Sequence, residues 1–240
     1  MQNTPVRKQL RRRRSQSGNT ILEFALVMVF LVPMFAGSFT IGAALAKDIQ
    51  VSNVARDAVV LMVRAATDPE SGLDLSQTPN QRIIVKAASG LGMNSDAQYD
   101  PSSTGGGVVI LSKVVMVGPA ECSVGVVPAP SGVPVPTPWS AGNCPNYGSY
   151  TFEYRVVIGN GSRWSSVLGN PGGTVQSNGT ITPADIASNT SDQVGTFATA
   201  TGMTLSPSTF ALISEMYADV TFLNFFKILG NPTLYARSIS

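Results

Sequence analysis

The sequence predicts an α+β fold, with one long N-terminal helix packed on a small antiparallel sheet of about four strands. Three observations point there. An apolar run from Phe24 to Ala46 passes without a break into a stretch whose apolar residues recur at three- and four-residue steps, as far as Asp68-Pro69. Two β-branched stretches, 108–117 and 150–158, flank a proline-rich connection. A strand, turn, strand order then closes the chain.

The helix comes first in the chain. Phe24 to Ala46 holds only apolar or small residues, about 23 of them, enough to cross a hydrocarbon core of ~30 Å. Pro33 and Gly37 interrupt the run, which membrane helices tolerate. Beyond it Ile49, Val54, Ala58, Leu61, Met62 and Ala65 mark one face, with Lys47, Gln50, Asn53, Arg56, Asp57 and Arg64 mostly on the others. Asp68-Pro69 is a stop signal. A helix from about Asn19 to Thr67 would measure roughly 70 Å. Its first half suits lipid and its second half suits a soluble domain.

Charge gives that helix a direction. The net charge of +2 hides six basic residues before Gly18, Arg7, Lys8, Arg11, Arg12, Arg13 and Arg14, with no acid among them. The rest of the chain holds ten basic and fourteen acidic residues. Four arginines in a row can be a nucleic-acid patch. Directly ahead of an apolar helix they form an orientation signal, holding their flank in the cytoplasm and sending the remainder across. The expectation is a single pass through a membrane with the N-terminus inside, with lipid as a partner, no nucleic acid, and residues 68–240 exported. Glu23 stands at the head of the apolar run, and no other charge follows until Lys47. A carboxylate at the centre of a bilayer helix costs about 2.5–3.5 kcal/mol on insertion scales, so such residues usually mark function.

In the exported part, Val108 to Val117 and Tyr150 to Ile158 are rich in β-branched and aromatic residues and predict strands. Five prolines between Val127 and Pro138 exclude a central strand there and favour an extended, polyproline-like form. Cys122 and Cys144 bracket this loop, 123–143. On the oxidising side of a membrane they predict a disulfide that pinches the hairpin at its base. Closing such a loop stabilises by about 3 kcal/mol in the loop-entropy model. Glu215 to Leu223 and Leu234 to Ile239, joined through Asn224–Leu229 and Gly230-Asn231-Pro232, predict a second hairpin, and Pro79 to Ser89 a helix with Ile83, Ile84, Ala87 and Ala88 on one side. The Gly-, Ser-, Thr- and Asn-rich stretch 160–206 predicts a mobile surface loop, interrupted at Thr182-Pro183-Ala184-Asp185 by the start of a capped short helix.

Several function classes drop out. With no His, imidazole catalysis and His-ligated metal sites are excluded. Two cysteines alone cannot make a four-ligand zinc site. Gly105-Gly106-Gly107 and Gly169-Asn170-Pro171-Gly172-Gly173 lead into no helix with a Lys or Ser/Thr partner, so they are turns and not phosphate loops. The acids are scattered and no nucleophile motif occurs. No cofactor and no enzymatic activity are expected.

The stretch Gly18-Asn19-Thr20-Ile21-Leu22-Glu23-Phe24, set between a basic tail and an apolar run, resembles the type IV pilin superfamily. Glu23-Phe24-Ala25-Leu26-Val27 is more narrowly similar to the TadE-like proteins of tight-adherence (Flp) pili. Asn53-Val54-Ala55-Arg56-Asp57-Ala58 resembles their Asn-x-Ala-Arg-x-x-Ala pattern. The resemblance implies that residues 1–18 are a leader, that a prepilin peptidase cleaves after Gly18, and that Glu23 meets the freed amine of Asn19 on a neighbouring subunit. It implies a minor pilin or pseudopilin, with other pilin subunits and the assembly machinery as partners and cell adhesion as the setting.

Other readings fit part of the pattern. Ala44-Leu45-Ala46 before Lys47 offers the cleavage site of an ordinary secretory signal, although the run is long for one and gives Glu23 no role. A plain anchor would let Glu23 snorkel to the headgroups. Such an anchored protein could bind surfaces through its Pro-rich and Ser/Thr-rich loops without ever joining a filament.

Overall fold

The computed structural model describes residues 6–67, 74–93, 105–125, 138–219 and 233–240. The predicted Asp68-Pro69 stop, most of the Pro-rich loop and the 220–232 link lie outside the described residues. The chain divides into two units, Met1–Ala46 and Lys47–Ser240.

Helix α1 runs over Val6–Thr67. It starts well ahead of the expected Asn19, because Arg, Lys, Gln and Leu are good helix formers and no breaker follows Pro5 until Gly18. In the first unit its side chains from Thr20 onward are unburied: Phe24 is 61% exposed and Met34 74%. The stretch is a candidate membrane span, with a mean hydropathy of 2.2. Two of its hydroxyls bond within the helix, as a spanning segment requires: Ser38 Oγ donates to the Met34 carbonyl at 2.9 Å and Thr40 Oγ1 to that of Gly37 at 2.8 Å. Pro33 lies inside the helix, which continues through it.

The second unit is a helix, sheet and strap in three layers. β1 (Gly107–Met116), β2 (Tyr150–Gly159), β3 (Phe210–Asp219) and β4 (Thr233–Ile239) form one antiparallel sheet in the order β2-β1-β3-β4. Both predicted hairpins are present, and the fold is α+β. β3 begins five residues before the expected Glu215, since Ala211, Leu212 and Ile213 are buried and belong to the pattern.

On one face of the sheet lie Val51, Val54, Ala55, Ala58 and Met62 of α1, packed with Ile84 and Val85 of α2 (Thr78–Ala87) against Val109, Leu111, Val156, Ile158, Leu212 and Met216. The buried stripe of α1 is rotated from the expected one. Ile49 is 60% exposed, whereas Val51 and Ala55 are inside. In α2 the same holds: Ile84, Val85 and Ala88 are buried, while Ile83 and Ala87 face outward.

The opposite face carries the largest departure from expectation. The 160–206 stretch is no mere surface loop. It supplies Leu168, Ile181, Ile186, Ala187, Val194 and Phe197 to a second core with Val114, Val117, Phe152, Ala211 and Ile213. It also holds helices α4 (Pro183–Ser188) and α5 (Phe197–Thr201). Thr182 caps α4 as predicted: its Oγ1 accepts from Asp185 N at 3.2 Å and donates to Asp185 Oδ2 at 2.7 Å. The stretch further shields the edge strand β2, whose Arg155 N bonds Gly179 O at 2.7 Å and whose Tyr150 O accepts from Val194 N at 2.7 Å. With cover on both sides, central β1 is buried along most of its length.

Candidate functional site

The first candidate site is the start of the apolar helix. Gly18, Asn19 and Glu23 all lie on α1, as do Arg11 to Arg14. Gly18 sits inside a helix, where it costs roughly 0.5–1 kcal/mol relative to Ala. Five residues separate it from Glu23, about 7.5 Å along the axis. Glu23 is exposed, with exposed Leu22, Phe24, Leu26 and Val27 around it. Local helix propensity therefore puts one carboxylate on a bare apolar rod, just past a basic segment.

The second is the clamp below the sheet. Cys122 lies in helix α3 (Pro119–Gly125), directly after β1, and Cys144 in the turn before β2. Their sulfurs are bonded at 1.98 Å, and their Cα atoms lie 5.8 Å apart, within the usual Cα separation of a disulfide. The pair brackets the segment as the sequence predicts, with a short helix on one side of it. Both cysteines are fully buried in the second core. Glu121 fixes α3 from the other side, accepting from Gly118 N at 2.8 Å and from Ser208 Oγ at 2.8 Å.

A third feature escaped the sequence analysis: a buried polar cluster between the sheet and the strap. Glu215 on β3 is fully buried and Arg155 on β2 is 5% exposed. Arg155 donates to Ser112 Oγ at 2.5 Å, Gly169 O at 2.7 Å and Asn170 Oδ1 at 3.0 Å. Glu215 accepts from Val167 N and the Tyr235 hydroxyl, each at 3.1 Å, and from Ser166 Oγ. Burial lowers the Arg155 pKa to about 10, against the pull of Glu215 and Tyr217. Burial, and next the Glu215 charge, raise Tyr217 to about 12, with Val167 N–H, Arg155 and Arg237 opposing. Tyr235 is raised as well, by burial first and then by Glu215. The available signal was a charged residue at a strand position whose neighbours two away, Ile213 and Tyr217, also pack. Among the described residues no group of three or more His, Cys, Asp or Glu could hold a metal ion.

Residues 18–59 match the family model described as TadE-like protein. The match opens on Gly18, takes in Glu23 and the apolar run, and includes Asn53–Ala58, so the resemblance seen in the sequence and the family model cover the same stretch. No curated protein and no solved structure matches the chain. The TadE-like stretch is thus most of α1, with the sheet and strap outside it. TadE-like proteins are a pilus-associated family and not an enzyme family, which suggests other pilus components as partners. Among the described residues there is one candidate span, near the N-terminus, and it suggests membrane anchoring.

Proposed function

We propose that this chain is a TadE-like minor pilin or pseudopilin that a prepilin peptidase processes between Gly18 and Asn19, and that contributes to assembly of a tight-adherence (Flp-type) surface pilus. The observation that supports this reading best is the extent of the family match, which starts on Gly18 and carries Glu23 at its sixth residue.

In this scheme the arginines at 11–14 hold the leader in the cytoplasm while the domain beyond Lys47 crosses. Gly18 is the cleavage determinant, because a side chain there would crowd the peptidase subsite. Removal of the leader creates a positive amine on Asn19. Glu23 of an adjacent subunit then neutralises that amine inside a bundle of apolar helices. An unpaired charge in such surroundings costs several kcal/mol, so the pair fixes register more than it adds stability. The exposed apolar residues of α1 give the bundle its contact surface.

The test is Glu23→Gln. The variant is expected to be processed at Gly18 and yet to be missing from sheared surface filaments, with Glu23→Asp partly restored. A Gln variant that enters filaments at the wild-type level would refute the pairing and leave a plain membrane anchor.

A further inference from the structure

The turn that follows α2 packs on α1 at the point where the apolar run ends. Ala46 is the last residue of the run and Lys47 the first charged one after it. Lys47 Nζ donates to the carbonyl of Gly90, and a Cβ on Gly90 would stand 3.5 Å from Gln50 Nε2 and 3.8 Å from Lys47 Nζ. Gly90 belongs to the short 3-10 turn Ser89–Leu91, in which Ser89 and Gly90 are exposed. From Ala46 to Gln50 the helix rises about 6 Å. The headgroup layer outside a ~30 Å hydrocarbon core is itself about 5–7 Å thick. A span that ends at Ala46 therefore sets the Ser89–Gly90 turn at headgroup level.

The charge around this turn is mostly of one sign. α2 carries Arg82 and Lys86 and no acid. The two are four residues apart, so they share a helix face, and both are exposed. Neither is in an ion pair among the described residues. Asp48, the acid next to Lys47, is turned about 100° around α1 from it, on the side away from Gln50. Asp74 is held at the far end of α2 by Ser76 and Gln77. Composition does not explain the cluster: beyond Ala46 the chain has seven other basic residues against thirteen acids. Orientation does not explain it either, since cations on the exported flank oppose the signal set by the arginines at 11–14. We propose that Lys47, Arg82 and Lys86, with the Ser89–Gly90 turn, form a contact surface for the phosphates of anionic lipid headgroups. Long basic side chains reach such phosphates from a short distance, and each adds to the attraction of the surface. The contact holds the exported unit against the bilayer in which α1 is anchored. It rests on the anchoring reading, and on neither cleavage nor filament assembly.

The experiment places the full chain in nanodiscs of phosphatidylcholine, with or without phosphatidylglycerol, and follows hydrogen exchange over 82–91. Exchange there should be slower by about threefold or more when phosphatidylglycerol is present. The difference should vanish in about 1 M salt, where the Debye length is about 3 Å. It should vanish also in the double variant Arg82→Gln, Lys86→Gln, whose exchange in pure phosphatidylcholine should match wild type because both side chains are exposed. Local readout keeps the basic tail out of the result, and neutralising Arg11 to Arg14 should leave the difference intact. Equal exchange in the two lipids, or a lipid effect that survives the double variant, would overturn the proposal. A chain that leaves the nanodisc would overturn it together with the anchoring. A chain that shows the lipid effect yet is neither processed nor assembled would support it and count against the proposed function alone.

Discussion

The side-chain amide of Asn146 donates to the carbonyl of Ile186 at 2.9 Å and to that of Asn189 at 3.0 Å, so one turn residue closes the C-terminal end of helix α4. Asn146 N also donates to Ala187 O at 3.0 Å, and Gln193 Nε2 donates to Asn146 Oδ1 at 2.8 Å. Asn146 is fully buried and lies two residues after Cys144. The disulfide turn and the strap are thereby joined at one point, and the otherwise unpaired carbonyls at a helix end are satisfied.

Asn146→Ala should destabilise the exported unit by about 1–3 kcal/mol, the usual cost of stranding buried polar groups. Asn146→Asp should do more harm, since a carboxylate has no donor to offer those carbonyls. Denaturant unfolding of both variants checks this, with faster hydrogen exchange expected over 183–193. A change below about 0.5 kcal/mol for Ala would mean that the turn is held by the disulfide alone.

The cysteines make a separate prediction. Peptide mapping without reductant should recover Cys122 linked to Cys144. The double Ser variant should lose about 3 kcal/mol, as the loop-entropy model gives for a closed loop of this length. Two freely alkylated thiols in protein taken from the cell surface would contradict the pairing and the exported topology together.

The tyrosines set an alkaline limit. Tyr217 is raised to about 12 by burial and then by Glu215, and Tyr154 and Tyr235 are raised too, by burial first. A raised folded-state pKa gives stability that is complete below the unfolded value near 10 and is lost as pH climbs through the folded value. Arg155, lowered to about 10, works in the opposite sense over the same range and offsets part of the loss. Absorbance titration should therefore show Tyr154, Tyr217 and Tyr235 ionising late, together with unfolding. Ionisation of these three near pH 10, without unfolding, would show that burial does not shift them.

How much of this was legible in the sequence follows from the kind of interaction that makes each part. The apolar run from Phe24 to Ala46 and the strand at Tyr150–Ile158 are local patterns, and a local pattern can be read directly. The ends were less clear. Helix α1 extends back to Val6 because the basic tail has the propensity to continue it. The role of 160–206 was hidden for a different reason. Its buried residues, Leu168, Ile181, Ile186, Val194 and Phe197, are spaced by turns and follow no helical or strand period, so only the tertiary fold shows that they share a core. Arg155 and Glu215 were missed likewise, since their partners are scattered from Ser112 to Tyr235. Gly18, Asn19 and Glu23 were readable as a motif through resemblance, which local geometry alone would not have supplied.

The proposal that the chain is a processed pilin subunit is tested most directly by the N-terminus of the mature protein. Edman degradation or mass spectrometry of protein from cells expressing the peptidase should find Asn19 first, possessing a free or methylated amine, with full-length precursor accumulating when Gly18 is replaced by a bulky residue. A mature chain that begins at Lys47 would establish an ordinary secretory signal. One that keeps residues 1–18 despite the peptidase would establish a permanent anchor, and either result contradicts the account.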